Sequence, residues 1–99
     1  MLRKPVYFPE ALEEFDQAIA FGLSEWGREL VEELVAEFEA KVSYICADWV
    51  QRRPDGYGVF RINLAKFPYH LIYRLKEDQV EIIAFSHHGK RDQYWRERL

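Results

Sequence analysis

Apolar residues in the first half of the chain recur every three or four positions. Leu12, Phe15, Ala18 and Ile19 form one series, and Trp26, Leu30, Leu34, Phe38, Val42, Ile45 and Trp49 form a longer one. Both follow the period of a helix with one buried face. The first series predicts a helix over 9–21. Pro9 suits its first turn, where the missing N–H costs nothing, and Glu10, Glu13 and Glu14 lie near the positive end of the helix dipole. Gly22 is expected to end this helix and Ser24 to cap the next. The short break over 22–25 then makes the pair an antiparallel hairpin.

The second half changes period. Over 57–64, Phe60, Ile62 and Leu64 alternate with Val59, Arg61 and Asn63; over 69–75, Tyr69, Leu71, Tyr73 and Leu75 alternate with His70, Ile72 and Arg74. Over 80–87, Val80, Ile82, Ala84 and Ser86 are expected opposite Glu81, Ile83, Phe85 and His87. A period of two is the signature of strands with two unlike faces. Val6-Tyr7-Phe8 reads as a further short strand, Arg52-Arg53-Pro54-Asp55-Gly56 as a turn, and Lys76-Glu77-Asp78-Gln79 as a hairpin turn. Asp92 is placed to cap a last helical turn over 93–98. Neither helix can bury its apolar stripe alone, so a sheet must supply the other surface. The expected fold is α+β, in the order β-α-α-β-β-β, with a helical hairpin packed on an antiparallel sheet in one domain spanning 1–99.

Length and composition agree with that outline. Ninety-nine residues, 48% of them hydrophobic, fit one domain that needs no metal or disulfide to fold. No apolar run approaches a membrane span, and Met1-Leu2-Arg3-Lys4-Pro5 lacks the apolar segment of a signal peptide. The single cysteine, Cys46, has no partner for an internal disulfide, so a reducing cytoplasm is the expected compartment. Net charge is −3, which argues against general nucleic-acid binding. The average hides a split. Residues 1–50 carry four Lys/Arg against eleven Asp/Glu, while residues 51–99 carry ten against six. Two faces of opposite sign are therefore available to partners.

The candidate chemistry follows the positive charge. No metal-ligand spacing is present: adjacent His87 and His88 point to opposite faces of a strand. Gly56-Tyr57-Gly58 lacks the lysine and following helix of a phosphate loop, no cofactor is expected, and Cys46 sits among apolar neighbours as a core residue. What remains is His87-His88-Gly89-Lys90-Arg91-Asp92-Gln93-Tyr94-Trp95-Arg96 at the end of the sheet. Arginine offers a planar fork to phosphate or carboxylate, and aromatic rings can stack on bases. Histidine ordinarily titrates near neutral pH, which makes His88 a candidate proton carrier. The same segment has a structural reading, in which Tyr94 and Trp95 close the edge of the core.

Three segments in register, Phe8-Pro9-Glu10-Ala11-Leu12-Glu13-Glu14, Phe67-Pro68-Tyr69-His70-Leu71-Ile72-Tyr73-Arg74, and Val80-Glu81-Ile82-Ile83-Ala84 with His88-Gly89-Lys90-Arg91-Asp92-Gln93-Tyr94-Trp95, resemble the RelE/ParE superfamily of type II toxin–antitoxin toxins. The resemblance covers nearly the whole chain and is weakest over 44–58. It implies a bacterial or archaeal protein held inactive by a cognate antitoxin, with a homodimer or a toxin–antitoxin heterotetramer as candidate assemblies. RelE-like members cut mRNA on the ribosome; ParE-like members bind and inhibit DNA gyrase. An RNase of this kind would use Arg61, Arg91 and either Tyr94 or His88 as its catalytic set. The lysines of RelE-like enzymes near the second strand have only Arg52 and Arg53 as substitutes here, and the Arg91-Asp92-x-Tyr94-Trp95 ending resembles the ParE-like, plasmid-stabilisation branch. The expectation is a toxin acting by binding. An mRNA endonuclease and a non-toxic antitoxin-binding homologue are the alternatives.

Overall fold

The computed structural model describes residues 2–99. In chain order, the elements are β1 (Lys4–Tyr7), α1 (Pro9–Glu25), α2 (Arg28–Ile45), β2 (Arg53–Pro54), β3 (Phe60–Asn63), β4 (Tyr69–Lys76), β5 (Gln79–His87) and a terminal 3-10 helix (Tyr94–Arg98). Five strands form one sheet in the order β1-β5-β4-β3-β2. The α+β hairpin-on-sheet architecture is as expected, with two corrections to the sheet. It is mixed rather than antiparallel, because β1 runs parallel to β5. It also has an extra short strand: Arg53 and Pro54, within the segment read as a turn, pair with Arg61 and Phe60. Both edge strands carry a proline, Pro5 and Pro54, which blunts them against further pairing.

The main core lies between the helices and one sheet face. Leu34, Phe38, Val42 and Ile45 of α2 pack with Leu71, Tyr73, Val80, Ile82 and Phe85. Phe15 stacks on Phe38 at 3.9 Å and meets Phe85 edge-on at 5.3 Å, so aromatic contacts bind both helices to β5. A second, smaller core occupies the opposite face, where Trp95 of the terminal helix is 1% exposed against Val59, Ile72, Ile83 and Ala84. Trp95 is therefore a structural plug, out of reach of any stacking ligand.

Strict alternation fails in β5. Ile72 pairs with Ala84 but Tyr73 pairs with Ile82, which leaves Ile83 as an extra residue in a bulge. Val80 and Ile82 face the helices, and so does Phe85; Ile83 and Ala84 lie in the opposite core. The bulge reverses the faces expected for 84–87.

The helix junction also differs. α1 runs through Gly22 and Ser24, and the break falls at Gly27, with φ +94°. Gly22 is buried where the hairpin legs converge: a Cβ there would lie 2.8 Å from Val31 Cγ2 and 2.9 Å from Trp26 Cε3. The glycine serves close approach, not chain reversal. Gly22→Ala gains about 1 kcal/mol in helix propensity, but overpacking costs about 1–3 kcal/mol and the β-branched Val31 has little rotamer freedom in a helix to retreat. A net destabilisation is expected, read as a lowered denaturation midpoint; an unchanged or raised midpoint would show that the hairpin relaxes freely. α2 stops at Ile45, so Trp49 lies beyond it, 78% exposed, and Leu30 is on its outer surface. At the C-terminus of α2, Arg52 donates to the carbonyls of Ile45 (3.0 Å) and Ala47 (2.9 Å) and lies over the Tyr73 ring. The first of these bonds occupies the orphan carbonyl of the last residue of the helix. The last helix begins after Gln93, in the left-handed region, rather than being capped by Asp92.

Candidate functional site

A cleft of about 340 Å³ opens on the sheet face opposite the two long helices, lined in part by Arg61, His70, Ser86, His88, Lys90, Arg91 and Tyr94. All four residues singled out from the sequence, Arg61, His88, Arg91 and Tyr94, border this one cavity. The fold brings them together by strand pairing. Arg61 on β3 is directly opposite Arg53 of β2, and Asn63 is opposite His70 of β4, which in turn pairs with Ser86 of β5. The β5 bulge puts Ser86 on the cleft side. The 88–93 loop then folds over this face, held by the His88 N–H donating to the Pro68 carbonyl at 2.9 Å and by Gln93 Nε2 donating to the Asp55 carbonyl at 3.1 Å.

Arg61 is oriented by a hydrogen bond from its Nε to Asn63 Oδ1 at 2.9 Å. Among the described residues, neither Arg53, Arg61, Lys90 nor Arg91 forms an ion pair, although Asp55 and Asp92 also line the cavity. Arg53 and Arg61 are like charges directly opposite on neighbouring strands, an arrangement that destabilises a sheet. Lys90 is placed with its Nζ 4.9 Å from the centre of the Tyr94 ring.

His70 is the site residue missed in the sequence. It is 7% exposed, its ring stacks on that of His88 at 5.1 Å, and its Nδ1 is buried without a hydrogen-bond partner. Burial, reinforced by the charge of Arg61 and then by His88, Arg53 and His87, pulls its pKa down to about 4. The signal was present: strand alternation already put Arg61 and His70 on the faces turned away from the apolar stripe. Only the register showed that these faces are continuous.

Tyr94 takes a different place from the one expected of an acid or base. Its hydroxyl donates to Glu14 Oε2, and the Glu14 carboxylate also accepts Arg98 Nη1 at 2.8 Å, Arg98 Nη2 at 3.1 Å and the Phe85 N–H at 3.1 Å. Burial, and then the hydrogen bond to Glu14, raise the Tyr94 pKa far above the ordinary tyrosine range. The ring borders the cleft while the hydroxyl is committed to holding the terminal helix on α1. Cys46 is buried, and burial raises its pKa, so it is no nucleophile at neutral pH.

What the arrangement offers is a half-enclosed patch of guanidinium and imidazole groups suited to a planar or tetrahedral oxyanion. The His88 imidazole is exposed there, and the His70 imidazole is buried.

No protein-family model matches the chain, and no curated protein matches it in sequence. Among solved structures, the fold is similar to a chain described as "Chromosomal ParDE TA system from P. aeruginosa", with a TM-score of 0.75 at 16% identity, covering 87% of this chain and 96% of that one. The likeness shows that the α+β fold is the RelE/ParE-like one expected from the three sequence segments. No helix among the described residues is long and apolar enough to cross a membrane.

Proposed function

We propose that this chain is the toxin of a type II toxin–antitoxin pair, neutralised in the cytoplasm by a cognate antitoxin, and that it acts in the ParE-like manner by binding its target, with DNA gyrase as that target. The fold shared over most of the chain with a ParDE-system protein carries the toxin reading. The cleft's proton carriers favour binding over cleavage. General acid–base catalysis requires an acid and a base poised near the working pH. Of the four candidates, Tyr94 is engaged by Glu14, which leaves only His88. Arg52, one of the two substitutes for the lysines of RelE-like enzymes, is engaged at the end of α2.

One observation favours the second reading, a ribosome-dependent mRNA endonuclease. Arg61, Arg91 and His88 border a single cavity, as charge stabilisation at a scissile phosphate would require. For the antitoxin, the outer surface of the helical hairpin offers Leu23, more than half exposed, with Leu12 and Leu30 partly so, while Phe21, also more than half exposed, lies beside the groove between α1 and the end of β5. Apolar anchors of this kind dominate interface energies.

Inducible expression separates these readings. Growth arrest with intact transcripts and an induced DNA-damage response is the expected result; arrest with codon-linked mRNA cleavage would instead support the endonuclease. Harmless expression of folded protein would overturn the toxin reading and leave an antitoxin-binding homologue without toxicity.

A further inference from the structure

We propose that the cleft is a site for a phosphoryl-type oxyanion, and that filling it is coupled to uptake of one proton by His70. This rests on the reading of the cleft as the working surface and holds whichever target the protein has.

The geometry carries the inference. Three observations point to an anion as ligand: guanidinium groups of Arg61 and Arg91 that border one cavity without an ion pair, the like-charged pair of Arg53 and Arg61 facing each other across neighbouring strands, and a buried imidazole nitrogen with no partner among the described residues. The like-charged pair and the unpartnered nitrogen are unfavourable by themselves, and one tetrahedral oxyanion relieves both. It accepts from the arginines, screens their repulsion and lets His70 become a donor. The groups facing His70 are Arg61 from β3, Arg53 from β2 and His88 from the loop after β5, while His87, at the end of β5, acts on it from the opposite face of the sheet. All are basic. Asp55, Lys90, Arg91 and Asp92 line the same cavity without being among the charges that act on His70.

Burial, with these basic neighbours, keeps His70 neutral down to about pH 4. An anion reverses the balance. An opposite charge within about 6 Å favours the cationic imidazole and moves the His70 titration upward. Between the empty and filled titration points, each anion bound brings one proton. Affinity then rises roughly tenfold for every unit the pH falls.

The test uses the full chain with sulfate, whose charge is constant over the range, followed by inorganic phosphate and a short oligonucleotide. At pH 5.5, the ring-nitrogen NMR signals of His70 are expected to move from the neutral to the cationic pattern as sulfate is added. The same change is expected in His88→Asn, where the neighbouring imidazole is absent, and a weaker affinity is expected in Arg61→Gln. The change with sulfate and phosphate assigns the site to free or monoester phosphate; the change with the oligonucleotide alone assigns it to a phosphodiester backbone. His70 signals that stay neutral with all three probes, or an affinity for sulfate that does not strengthen on acidification, would overturn the proposal. The toxin reading is tested separately by growth, so either can fail while the other stands.

Discussion

Replacing Glu14 with alanine is expected to destabilise the protein by about 3–5 kcal/mol, the usual consequence of removing one partner from a buried ion pair. Glu14 and Arg98 have only 12% and 16% of their side chains accessible, and the Glu14 carboxylate receives four hydrogen bonds from two other elements, β5 and the terminal helix. Without it, the Arg98 guanidinium keeps the Ile83 carbonyl and the face of the Tyr94 ring, and the buried Tyr94 hydroxyl is left with Ser86. The terminal helix then loses its tie to α1, and Trp95 with it. A loss of this size is a large fraction of the roughly 5–15 kcal/mol that holds a domain together. Glu14→Gln, which retains shape and part of the hydrogen bonding, should fall less. Denaturant unfolding followed by tryptophan fluorescence measures both, and a cost below 1 kcal/mol for the alanine variant would show that Trp95 alone seats the terminal helix.

Acidification supplies the second large effect. His70 titrates at about 4 in the fold against an ordinary 6.5. Between these values the unfolded chain binds a proton that the folded chain does not, so stability rises with pH across the window. Read downward, stability is lost as pH falls from about 6.5 to about 4, by about 3 kcal/mol in total at 1.36 kcal/mol per pH unit, with no further contribution below that. His70→Asn removes the titrating group and should show a flatter dependence. Denaturation midpoints at pH 7, 5.5 and 4 for both proteins test this. Parallel curves would mean that His70 is protonated in the fold and that its neighbours tolerate the charge.

Much of this architecture was legible in the sequence because it rests on periodicity. The α2 stripe from Leu34 to Ile45 and the alternation in β3 and β4 are dictated by which residues must leave water, and they set the two faces of the sheet. Arg61 was on the outward face from the start. What escaped depends on contacts between segments. Gly22 resembles a helix terminator until Val31 is seen packed against it. The β5 bulge at Ile83 is invisible because an all-apolar run reads the same in either register. The parallel pairing of β1 and the short β2 depend on partners far away in the chain. His70 was overlooked because alternation placed it on the outward face without showing which residues share that face; burial, stacking and the unpaired Nδ1 mark it only in three dimensions. Tyr94 was left between a site role and a structural one for the converse reason, since nothing local reveals Glu14, eighty positions earlier.

The most direct test is growth after inducible expression of the Arg61→Ala/Arg91→Ala double variant beside the parent chain. Neither guanidinium packs in the core or forms an ion pair, and removing the Arg53–Arg61 repulsion costs the sheet nothing. The account predicts a variant as stable as the parent that no longer arrests growth. A folded double variant that arrests growth as strongly as the parent would contradict it, and would move the working surface elsewhere on the molecule.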